Sequence, residues 1–166
     1  MNFSEIVNTR QSCRKFDANK GVDSKLLKKI AEISRLAPSG RNLQSYSVYI
    51  AEGDTAKSIS EANTSGFNTF MKDCPAFFVI AKKEYEIEMN RDFRDIDIGI
   101  LSSYITLAAT DLGLSTCILG IFDEQKIQNI LGTKDEISLV ICVGYPADDT
   151  IRKKNRKDEK DLLHFV

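Results

Sequence analysis

Tryptophan is absent from the 166-residue chain and histidine occurs once, at His164. A Ser/His/Asp triad or a multi-histidine metal site is therefore not expected, since each needs imidazole beside other side chains. The four cysteines, Cys13, Cys74, Cys117 and Cys142, are scattered, with no pair at zinc-site or CxxC spacing. Three lie in apolar stretches and read as buried, reduced thiols. The formal net charge is only −1, too little basic excess for a nucleic-acid or anionic-membrane partner. No apolar run approaches the roughly 20 residues of a membrane span. The start, MNFSEIVNTRQSCRKF, is polar and already patterned as structure, so no secretory signal is expected and the expected location is cytoplasmic. Repeats, low-complexity tracts and GxGxxG are missing as well, and the last absence disfavours a Rossmann domain.

What is present fits one domain over residues 1–166, long enough for a core of its own. Phe3–Thr9 suggests a short helix. Asp23 or Ser24 caps a helix that carries Leu26, Leu27, Ile30, Ala31 and Ile33 inward and is closed by Pro38 and Gly40. Residues 46–51 alternate as a strand, Asp54 caps a helix to Ala62, and a helical turn covers 65–72. AFFVIA at 76–81 is a buried strand. Residues 95–112 form the strongest helix, with apolar side chains from Ile96 through Tyr104 to Leu112 around most of its circumference, which predicts burial on several sides. STCILG at 115–120, a helix at 124–131 between Asp123 and Gly132, and the strand at 137–145 complete an α+β layered arrangement.

Four constellations could carry chemistry. Arg10, Gln11, Ser12 and Arg14 bring two guanidinium groups and a hydroxyl into one irregular segment, a donor set suited to phosphate. Ala37–Tyr46 (APSGRNLQSY) is a helix end rich in small and amide residues. Leu119 and Gly120 close a strand where glycine lets a flat ligand approach the backbone. Arg152–Lys157 is a basic run, in which Arg152, Lys153 and Lys157 read as a solvated face. Each of these, taken alone, reads more readily as a surface turn, an ordinary loop or a solvated face.

In this order, over nearly the whole chain, they resemble the nitroreductase family of FMN-dependent NAD(P)H oxidoreductases. The RxSxRxF opening at Arg10–Phe16, APSGRNLQSY, DIGILSSYITLAATDLGLSTCILGIF at 97–122, and VGYPA at 143–147 with basic residues after it carry the likeness. The resemblance implies a mainly antiparallel central sheet flanked by helices, a long buried central helix, and a C-terminal arm (146–166) that packs on a partner subunit. It implies that Arg10 and Ser12, with Arg156 and Lys154, hold the FMN phosphate beside Gln11. Arg14 would reach the ribityl chain and the N1/O2 edge, and Leu119 and Gly120 would lie near N5/O4. Asn63 falls near a family asparagine that contacts the ring. Pro38, Ser39, Gly40 and Asn42 would come from the second subunit of a homodimer, with NADH or NADPH as donor and a nitroaromatic, quinone or similar oxidant. The same likeness admits a flavin reductase or dehalogenase-type enzyme, or a flavin-binding protein with little turnover.

Three departures stand out. Ser45 replaces the family's usual proline, and Tyr46 its frequent tryptophan. The chain is also short, without the inserted helices between about residues 84 and 95 that cover the substrate side. Phe67, Phe70 and EYEIEMNRDF (84–93) are the expected replacements for that cover.

Overall fold

The computed structural model describes all residues of 1–166 except Thr64, Ser65 and Glu86. In chain order it contains α1 (Phe3–Thr9), α2 (Ser24–Ser34), β1 (Tyr46–Glu52), α3 (Gly53–Ala62), β2 (Ala76–Lys82), α4 (Arg94–Asp111), β3 (Ser115–Leu119), α5 (Glu124–Leu131) and β4 (Ile137–Gly144). The strands form one sheet in the order β1-β2-β4-β3, antiparallel at each pairing.

Strand β2 sets the layering. Its period-two alternation sends Phe77, Val79 and Ala81 to one face and Ala76, Phe78 and Ile80 to the other. The first face is covered by α3 and α5 through Ala56, Ile59 and Ile127. The second is covered by α2 and α4 through Leu27, Ile30, Leu101 and Ile105. Because both faces are covered, the strand reads as a continuous apolar run.

Local signals fix most helix ends. Asp23 accepts from the Lys25 amide to start α2, and Asn2 and Glu5 form a capping box on α1. Asp123 accepts from the Lys126 amide, and Gly132 closes α5 in the left-handed region. Helix α2 stops at Ser34, before Pro38 and Gly40, which lie in a following loop with a 3-10 turn at Gly40–Asn42. Asp54 is not the cap of α3. The helix begins one residue earlier, after Glu52, and Asp54 sits in its first turn. The turn expected over 65–72 is a 3-10 turn at Thr69–Asp73, while Ser65 lies outside the described residues.

Helix α4 buries Ile98, Leu101, Ile105, Ala108 and Ala109, and it buries Ser102 and Thr110 by returning their hydroxyls to its own carbonyls at 2.7 and 2.9 Å. It is not covered on all sides. Ile96 and Tyr104 are 48% and 36% exposed, because one stripe of the helix has no layer of this chain over it. Among the described residues no helix is long and apolar enough to cross a membrane. All four cysteines are free and buried, the three in apolar stretches as expected and Cys13 with them.

Candidate flavin site

The Arg10–Phe16 segment is held at the free edge of β3. Cys13 donates its amide to the Thr116 carbonyl at 2.8 Å, and Ser12 makes a parallel bridge to Thr116. On its other side Phe16 bridges Pro146, Asp17 donates to Tyr145 at 3.0 Å, and Ala147 donates to Lys15 at 2.9 Å. The two distant ends of the chain are thus stitched together by backbone hydrogen bonds.

Past Pro146 the stitching passes to side chains. Gln11 donates its amide to the Thr150 carbonyl at 2.7 Å and accepts from the Arg152 backbone at 3.0 Å and from Arg152 Nε at 3.2 Å. The Arg152 guanidinium also donates to the Ser12 carbonyl. Lys154 donates to the Val7 and Asn8 carbonyls near the C-terminal end of α1, where a cation meets the negative end of the helix. Between the two ends lies a cavity of about 240 Å³ lined by Arg10, Gln11, Ser12, Arg14 and the run Arg152–Arg156.

Charge in this cavity is uncompensated. Among the described residues, no carboxylate stands within ion-pair distance of Arg10, Arg14, Arg152, Lys153, Lys154 or Arg156. Arg10 Nε is buried without a hydrogen-bond partner. Burial pushes the Arg10 guanidinium below its ordinary pKa, and the charge of Arg156 pushes the same way. Burial likewise raises the Cys117 thiol, against an opposing pull from Arg14 and then Arg10. Cations gathered around one cavity, with the half-buried Arg10 keeping a donor to spare, suit an anion, and forked guanidinium groups match the oxygens of a phosphate.

The strand end beside it is open. Leu119 is buried, whereas no atom lies within 4 Å of the place a Cβ would take on Gly120. Asn63 donates its amide to the Phe67 and Asn68 carbonyls, and Asn68 in turn donates to the Ile121 carbonyl at 3.0 Å. Asn63 therefore shapes the loop that lies against the end of β3. Pro38, Ser39, Gly40 and Asn42 stand apart from this group, and none of them lines the cavities around Arg10–Arg14.

The nitroreductase family profile matches residues 7–145, most of the chain and all of the layered core just described. The chain belongs to the nitroreductase family. Membership places it among the oxidoreductases, as the ordered motifs imply. An oxygen-insensitive NADPH nitroreductase of Helicobacter pylori strain 26695 is 27% identical, with 98% of this chain and 95% of that protein covered. That alignment runs over 204 positions, more than the chain has residues, so the relative carries insertions that this chain lacks. Among solved structures, a nitroreductase family protein of Clostridium novyi NT superposes with a TM-score of 0.78 at 28% identity, covering 89% of this chain and 87% of that one. A nitroreductase-like protein of Streptococcus mutans shares the fold at TM-score 0.86 and 16% identity, with 99% and 98% covered.

Of the residues singled out in the sequence, Arg10, Gln11, Ser12, Arg14, Lys154 and Arg156 meet around one cavity. Arg152 is exposed, as a solvated face implies, yet it also joins Gln11 and Ser12 to the tail, a role the sequence reading missed. Nothing local marks it, since its partners are 140 and 141 positions away.

Proposed function

We propose that the chain is an FMN-dependent NAD(P)H oxidoreductase acting as a homodimer, in which the cation cluster grips the FMN phosphate. The observation that carries this reading is the convergence of Arg10, Arg152 and Arg156 around Ser12 with, among the described residues, no carboxylate paired to any of them. FMN, when bound, supplies a two-electron relay that takes hydride from NAD(P)H and yields it to a small oxidant such as a nitroaromatic or quinone.

The chain supplies position and field. Arg10 and Arg156, with the Ser12 hydroxyl, hold the phosphate, and Lys154 fixes the tail against α1 so that Arg156 stays in reach. Arg152 keeps Gln11 and Ser12 in register with the tail. Arg14 would supply positive charge to the flavin's N1/O2 edge and so favour its reduced form. Gly120 leaves the end of β3 clear for a planar ring. No protein nucleophile or ionised base is required, in keeping with the single histidine. The Pro38–Asn42 loop completes the pocket from the second subunit, consistent with its separation from the cation cavities of its own chain.

The test separates phosphate from ring. Apo-protein is titrated with FMN and with riboflavin, which lacks the phosphate, for the native chain and for Arg10→Ala. The variant should lose about 10- to 100-fold in FMN affinity, the worth of a charge-assisted hydrogen bond, and much less for riboflavin. Equal losses for both ligands would refute the clamp, and native protein that stays colourless in FMN would refute the function.

A further inference from the structure

A second polar group lies unexplained in the core, away from the cation cluster. Asp97, in the first turns of α4, is only 3% exposed. Its Oδ1 accepts the Gly40 amide at 2.9 Å, and its Oδ2 is buried with no partner. Acidic residues near a helix start ordinarily serve their own helix, whereas this one reaches a loop 57 positions earlier. A half-satisfied buried carboxylate is costly, so what it holds is worth identifying.

It holds a loop in an unfavourable shape. Arg41, Asn42 and Gln44 all lie in the left-handed region, at φ of 52°, 58° and 50°, which non-glycine residues seldom adopt. Ser39 Oγ accepts the Gln44 amide at 3.1 Å, and the Gln44 side chain folds back on Asn42. Gly40 itself is pressed against Phe93, where an added Cβ would come within 3.1 Å of that side chain. The bonds of Ser39 and Gln44 are internal to the loop; outward, the Arg41 guanidinium donates to Met89 Sδ at 3.7 Å on the surface, and the bond to Asp97 ties the backbone to the core.

We infer that Asp97 is the positioning residue for the Pro38–Gln44 loop: its buried carboxylate anchors Gly40 and keeps the left-handed run in the form that completes the flavin pocket. This deepens the proposed function and rests on it for the word flavin, while the anchoring itself is independent of any ligand. Phe93 backs the loop, so Asp97 and Phe93 hold Gly40 between them, and a Cβ there would require Phe93 to give by a few tenths of an ångström.

Trypsin provides the readout, because Arg41 is exposed in the middle of the anchored loop. In FMN-free protein, Asp97→Ala should be cut after Arg41 about tenfold faster than the native chain, and Asp97→Asn, which keeps an acceptor for Gly40, within about threefold of it. Gly40→Ala attacks the same contact from the loop side without touching the core carboxylate, and should also be cut faster. FMN affinity should fall in the same order as cleavage rises. Equal cleavage in the native chain and in both Asp97→Ala and Gly40→Ala overturns the anchor. A lower melting temperature with unchanged FMN affinity in folded Asp97→Ala overturns the positioning role, leaving Asp97 merely structural. If the native protein never binds FMN, the functional reading fails, and the cleavage rates still decide the anchor.

Discussion

Arg10 and Arg14 sit in one segment and do different work. Arg10 is partly withdrawn from water with an idle Nε, so its value lies in what it can bind. Arg14 is exposed and lies in the segment that bridges to β3. A unit charge roughly 4 Å from a reduced flavin contributes at most about 4 kcal/mol at an effective dielectric near 20. For a two-electron couple that is at most about 90 mV, and exposure to solvent and salt reduces it to roughly a few tens of mV. The charge stabilises the reduced, more negative form, so it raises the potential. Arg14→Gln should therefore lower the FMN midpoint potential by roughly that amount, measured by equilibration with reference dyes. An unchanged potential in a variant that still holds flavin would remove Arg14 from this role.

At the scale of elements, the end of β4 is where the sheet and the site meet. Gly144 is packed so closely that a Cβ would fall 2.7 Å from Pro75 and 2.9 Å from Phe16. Phe16 closes the Arg10–Phe16 segment, so crowding at Gly144 pushes on the site's own support. Gly144→Ala should cost about 1–3 kcal/mol as overpacking, lowering the melting temperature by several degrees. It should also weaken FMN, and a native melting curve would show that the segment yields without cost.

Elements bounded by neighbouring residues were legible in the sequence. Asp123 and Gly132 bracket α5 because capping is a local matter of one side chain and one backbone angle. The continuous run of β2 was legible because burial on both faces needs no partner pattern. Arg152 and Asp97 were not, since each acts through a contact far along the chain that no spacing encodes. The apolar residues around most of α4 predict burial on several sides, and the helix is so buried except along the stripe where Ile96 and Tyr104 lie open. Hydropathy states that a side chain wants cover and does not say which molecule supplies it.

At the scale of the whole molecule, that unsupplied cover recurs at the tail. Leu162 and Leu163 are each 54% exposed and Phe165 is 92% exposed. A solvated end with three large apolar side chains gains nothing from its own fold, whereas the proposed dimer offers a place to bury them. The outer edge of β1 is unpaired among the described residues, and beside it runs an open groove of about 890 Å³ lined in part by Leu27, Ala31, Leu36 and Ile50. An apolar segment seated on another copy would blunt that edge. Full burial of two leucines and a phenylalanine is worth about 1.5–3 kcal/mol each, and twofold symmetry counts the gain twice. Removing residues 160–166 should therefore give monomer by analytical ultracentrifugation. Because the Pro38–Asn42 loop would then lose its access to the second copy's cation cluster, the truncated protein should also bind FMN poorly. A truncated protein that sediments as a dimer of normal size would place the interface elsewhere, on the open stripe of α4. A monomer with native FMN affinity would mean that one chain suffices for the site.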